Sequence, residues 1–109
     1  SNNCAASSNS SSADELLEEA AQLLDSQFDY SQAMLLAQKY KKREDALEWL
    51  NQLLHYFHTQ LSEPKSQANN KIISLLLKHL LASYQEIQQN LNPQLLLEHY
   101  LFKIANGSN

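Results

Sequence analysis

The chain has 109 residues, of which 43% are hydrophobic, and a net charge of −4. That length supports one domain with a modest core, able to remove roughly 65% of its unfolded surface from water. The acidic balance argues against nonspecific nucleic-acid binding by the domain as a whole, which needs clustered Lys and Arg to neutralise phosphates.

There is no Val, a single Thr at 59 and a single Gly at 107, while Leu, Ala, Gln, Glu and Lys abound. Intrinsic propensity therefore points to an all-α fold. With one glycine, neither a phosphate-cradling loop nor a dinucleotide fingerprint can be built, so no catalysis and no cofactor are expected of the chain. No apolar run approaches the roughly 18 residues needed to span a bilayer, and a cytoplasmic, soluble domain is expected.

Residues 1–12 are almost entirely Ser, Asn and Ala and are expected to be a linker or tail, since ordering them buries nothing large. Cys4 has no partner for an internal disulfide, which suits a reducing compartment. Lipid attachment there would need an apolar run that is missing, so an inert exposed thiol is the expectation. Ser12 and Glu15 have capping-box spacing, and Leu16, Leu17, Ala20, Ala21, Leu23 and Leu24 follow on one broad face, predicting a helix over 13–25. Glu18, Glu19 and Asp25 are placed on its exposed side as solubilising charges.

Asp29 and Gln32 repeat the capping spacing ahead of Ala33, Leu36, Ala37 and Tyr40, with Phe28 as hydrophobic staple. The basic run Lys39 to Arg43 encloses Tyr40. A phosphate contact with a stacking platform competes there with a solvated helix end whose cations favour the C-terminal dipole, and the acidic balance favours the second.

A third helix starts at Glu44. Leu47, Leu50, Leu54, Phe57 and Leu61 step by three and four, with Trp49, Leu53 and Tyr56 as a second stripe, so two neighbours are predicted. Pro64 limits this helix at Ser62, and 62–70 reads as a polar loop. His55 and His58, one turn apart, could share a metal with Glu48, but the ligand set is incomplete and two residues at a stripe's edge is the plainer reading, as for His79 and His99. The longest helix then carries Ile73, Leu77, Leu80, Tyr84, Ile87 and Leu91, with Ile72, Leu75, Leu76 and Leu81 widening its face.

Asn92 followed by Pro93 signals a new helix, because Asn caps free N–H groups and Pro at the first position loses no hydrogen bond. The chain must break there and fold back or bend sharply. Apolar residues at 95, 96, 97, 100, 101, 102 and 104 cover nearly the whole circumference, so this helix has to be buried by something. Either it is the central helix of the bundle, or part of it is a subunit interface. The candidate interface positions are Asn92, Pro93, Leu97, Glu98, Tyr100, Leu101 and Ile104. Glu98, the lone acid among them, either faces water or accepts hydrogen bonds from a partner's Lys or Arg.

The run Asn-Leu-Asn-Pro-Gln-Leu-Leu-Leu-Glu at 90–98, with Tyr100, Leu101, Phe102 and Ile104, resembles the last helix of bacterial DNA polymerase III clamp-loader subunits, where a long helix breaks at Asn-Val-Asn-Pro. Leu91 replaces the usual Val, and Tyr100 stands where Leu is common. Leu36-Ala37-Gln38-Lys39-Tyr40, Arg43-Glu44-Asp45-Ala46-Leu47 and the segment Leu53 to Leu61 are similar in order and spacing to the C-terminal domain of the delta-prime subunit. His58-Thr59 departs from the family's Arg-Asp. The likeness covers residues 16–104, and its specific part is the Asn-Pro helix.

That resemblance implies a non-catalytic helical collar, associating side by side with other clamp-loader subunits in a five-membered ring. ATPase modules would precede residue 1 and DNA would be met only indirectly. A gamma or tau collar shares the Asn-Pro helix and is the nearest alternative. A stand-alone acidic bundle that binds an amphipathic helix in a groove is a third reading.

Overall fold

The computed structural model describes residues 14–62, 67–89 and 92–106. Among these the regular secondary structure is helix alone: α1 (14–24), α2 (Tyr30–Lys39), α3 (Arg43–Ser62), α4 (Gln67–Gln89) and α5 (Pro93–Ala105). The Ser12 cap, the Ser- and Asn-rich tail with Cys4, and Leu91 lie outside the described residues.

Local chemistry starts α2. Asp29 accepts from the Gln32 amide at 3.0 Å while the Gln32 side chain accepts from the Asp29 amide at 3.2 Å, a complete capping box. Phe28, just ahead of the cap, is buried together with Ala33, as a staple requires. α3 ends at Ser62 before Pro64, and α4 begins at Gln67, inside the stretch expected to be loop. A polar composition did not prevent helix there, because Gln and Ala are good helix formers and the apolar stripe downstream anchors the turn.

α3 lies along α4, and α5 packs between α2 and α4 while touching α3 lightly. The Tyr100 contacts with Glu86 and His79 show that α5 runs back along α4, so the break at Asn92 and Pro93 is a reversal. The two stripes of α3 merge. Its deepest stripe residues, Trp49, Leu50, Leu53 and Phe57, come from both, with Ala46 buried beside them, while Leu47, Leu54, Tyr56 and Leu61 flank them partly buried. Leu80 and Ile87 of α4 and Leu97 and Leu101 of α5 meet them, each almost fully buried and worth about 1.5–3 kcal/mol of transfer free energy. On α4 the widened face is narrower than expected: Leu76 is buried, but Ile72, Leu75 and Leu81 are exposed.

Candidate functional site

α5 is set by its first turn. Asn92 is the N-cap, its Oδ1 accepting from the Leu95 amide at 3.1 Å, and Pro93 occupies the first helical position. Of the seven candidate interface positions, Pro93, Leu97, Tyr100, Leu101 and Ile104 are buried by this chain's own helices. They serve the bundle's interior. The physical reason is the reversal, which lays α5 between two helices and covers its broad side. Asn92 is exposed and Glu98 half-buried, with Gln94 Nε2 donating to Glu98 at 3.4 Å. What α5 turns outward is Leu95, which is 60% exposed, with Leu96 and Phe102 partly buried beside it. The edge of the Phe102 ring system meets Tyr30 of α2 at a centroid distance of 5.0 Å, and Tyr30 is itself exposed.

Tyr100 is held by polar as well as apolar contacts. Its hydroxyl donates to Glu86 of α4, and that bond, with burial, pushes its phenol up to about 12. Lys103 lies 5.4 Å from the ring centroid. His79 of α4 is nearby, and burial, reinforced by Lys103 and Lys78, holds its imidazole below the ordinary value.

The largest departure from expectation is Glu19. Placed among solubilising charges by the sequence, it is only 5% exposed and is the hub of a polar node joining three helices. Glu19 Oε1 accepts from the Trp49 indole N–H and the Tyr40 hydroxyl, both at 2.8 Å, and Oε2 accepts from Lys39 Nζ at 2.6 Å. Lys39 also reaches Glu15 at 3.2 Å. Tyr40 and Trp49 stack at 4.3 Å between centroids and 11° between planes. Burial alone would lower the Lys39 ammonium, but its bonds to Glu19 and Glu15 win and leave it raised, while burial and the Glu19 bond together raise the Tyr40 phenol.

A sequence signal for this existed. Leu16, Glu19, Ala20 and Leu23 follow spacings of three and four, so Glu19 sits inside the apolar stripe, and a carboxylate there needs partners. Tyr40 and Trp49 carry the polar tips that supply them.

The node bears on the basic cluster as well, against the stacking-platform alternative. Tyr40 lies against Trp49 and is no open stacking platform, and Lys39 is committed to carboxylates; Lys41 and Lys42 are exposed. Beside the node is a cleft of about 290 Å³ to which Asp45, Glu48 and Gln52 of α3 contribute. Glu15 and Glu19 together hold the ammonium of Lys39, which fastens α1 to α2.

His55 and His58 are both exposed on α3, bordering a shallow groove with Leu54, Leu77 and Leu81. Among the described residues no three His, Cys, Asp or Glu side chains come together as metal ligands, and no helix is long and apolar enough to cross a membrane. No protein-family model matches the sequence, and no curated protein or solved structure matches it.

Proposed function

We propose that the chain is a non-catalytic oligomerisation domain, the helical collar of a bacterial clamp-loader subunit most like delta-prime, working in the cytoplasm. The observation that carries this reading is α5. It begins at a capped Asn-Pro break, reverses onto α4, and after filling the bundle still turns Leu95 and part of Phe102 outward. A single apolar side chain in water needs no explanation, but Leu95, Phe102 and Tyr30 are neighbours on one surface that also carries Glu98, an arrangement suited to a modest protein interface. The resemblance of residues 90–104 to the clamp-loader helix supplies the identity of the partners. The function assigned is scaffolding: the domain would hold its subunit beside the next while the ATPase modules act on primer-template DNA and the sliding clamp.

The test is size-exclusion chromatography with light scattering on the 109-residue chain, alone and mixed with the matching domains of the gamma and delta subunits, with far-UV circular dichroism confirming that each component is folded. Co-migration that L95E weakens is the expected result. A folded chain that ignores both partners would overturn the assignment.

A further inference from the structure

Two exposed apolar patches lie at the two ends of the α4 and α5 pair and share no residue. The first is the outward side of α5. Leu95, Leu96 and Phe102 line a hollow of about 500 Å³ flanked by the carboxylates of Glu86 and Glu98, with His99 at its border. Among the described residues Glu98 receives only the long bond from Gln94, which leaves most of its acceptor capacity open. Glu86 is engaged by Tyr100 but remains exposed.

The second patch is on the first half of α4. Ile72 and Leu75 are 46% and 40% exposed, at the mouth of a hollow of about 270 Å³ that Leu24 and Phe28 help to line. Lys71 and Lys78 are exposed on either side of them in the helix. At 3.6 residues per turn, 71, 75 and 78 fall on one side, so Leu75 is flanked by two ammonium groups, with Ile72 about 60° further round the helix. Asp25 stands on the far border of the hollow as its one acid.

Each patch is therefore apolar at the centre, and their flanking charges are opposite. A two-fold joint that set either patch against itself would oppose like charges, whereas a joint between the two different patches pairs carboxylate with ammonium around buried Leu and Ile. We infer that the chain self-associates head to tail, the acidic apolar patch around Leu95 on one copy seated on the basic apolar patch around Ile72 and Leu75 of the next. The joint uses the same Leu95 surface as the proposed collar contact, but it needs no partner except a second copy and is tested on this chain alone. The patches are small, so the association is weak, with a Kd on the order of 100 μM. A heterologous joint leaves one patch free at each end and adds copies until a ring closes.

The experiment is sedimentation velocity on the full 109-residue chain across about a hundredfold range of concentration centred on that Kd. The expected result is a weight-average mass that climbs with concentration past that of a dimer and falls when salt is raised, since the rim charges are solvent-exposed. L95E disables one patch and the double change I72E/L75E disables the other. Each variant alone is expected to stay monomeric, at least about tenfold weaker than the parent chain. Mixed one to one they are expected to form a heterodimer and nothing larger, because each retains the patch that the other lacks.

Monomers at every concentration would overturn the inference, as would variants that associate like the parent chain or fail to pair when mixed. All three side chains are exposed, and far-UV circular dichroism checks that the variants fold. Charge variants provide a second measurement that leaves the apolar packing alone. E98K and K78E are each expected to weaken the joint about fivefold, and one chain carrying both is expected to recover to within about twofold of the parent. A double variant as weak as the two losses combined would overturn the pairing of these patches.

Discussion

α1 and α5 are fixed to the same bundle by opposite chemistry. α5 is held by shape: Leu97, Leu101 and Ile104 fill space between α2 and α4, and its start is set by two adjacent residues, Asn92 and Pro93. α1 adds to its own apolar residues, Ala20 and Leu23, one buried carboxylate that gathers donors from residues 20 to 30 positions away. Apolar filling tolerates small shifts and has no preferred rotation beyond its stripe. A carboxylate with three donors fixes the rotation of α1 relative to α2 and α3, since turning it by one residue would strand Glu19 among apolar side chains. The bundle therefore has a packed end and a keyed end.

The largest test of that contrast is a cavity in the packed region. L101A is expected to cost about 2–5 kcal/mol in urea denaturation followed by far-UV circular dichroism. A loss under about 1 kcal/mol would mean that α5 is not the bundle's filled centre.

E19A comes next. It strands the Trp49 indole and Tyr40 hydroxyl donors, for an expected cost of about 1–3 kcal/mol. The Lys39 share is small, because that side chain is 41% exposed and its charge is screened by water. Hydrogen exchange should quicken in α1 and the first turns of α3 while α4 stays protected; uniform acceleration would remove the idea of a separately keyed end.

Alkali loosens both regions. A group whose pKa is raised by folding contributes stability that is whole below its unfolded value and is lost as pH climbs through the folded one. For Tyr100 that window runs from the ordinary 10.0 to about 12. Tyr40 and Lys39 are raised as well, so their losses add to it in the same direction. Thermal midpoints should therefore fall above pH 10, and E86Q should reduce the Tyr100 part of the fall to what burial alone contributes. His79 works at the other end of the scale. Being lowered, it contributes above its ordinary 6.5 and loses that contribution as pH drops through the folded value.

Smaller still, N92A should cost about 1 kcal/mol by removing the cap of α5, and D29A a similar amount at α2. L95E should leave stability within about 0.5 kcal/mol of the parent chain, since its side chain faces outward.

The pattern of what could be read in the sequence follows the same division. Helix starts at Asp29 and Asn92, the stop before Pro64 and the break at Pro93 rest on neighbours within four residues, and each could be placed from local chemistry; that the break is a reversal rests on the Tyr100 contacts with α4. The choice between core and interface for α5 was not local. It depended on how many helices the reversal would lay against it, and the answer was that Leu97, Tyr100, Leu101 and Ile104 turn inward while Leu95 turns out. Glu19 was misplaced because an acid reads as surface by composition, and only its donors, far along the chain, make it interior. Ile72 and Leu75 were misread for the converse reason: apolar residues were assumed to be covered, and here α4 has more apolar circumference than its neighbours reach.

Trp49 is the sole tryptophan, and it sits where α1, α2 and α3 meet, stacked on Tyr40 and bonded to Glu19. Indole emission shifts to the red when water reaches the ring, and a phenol in face-to-face contact is well placed to pass its excitation on. A single chromophore at the keyed end thus makes the molecule its own optical gauge. Excited selectively, it reports whether α1 is seated while the aliphatic end stays dark, so stopped-flow fluorescence set against circular dichroism would time the two halves of the bundle separately.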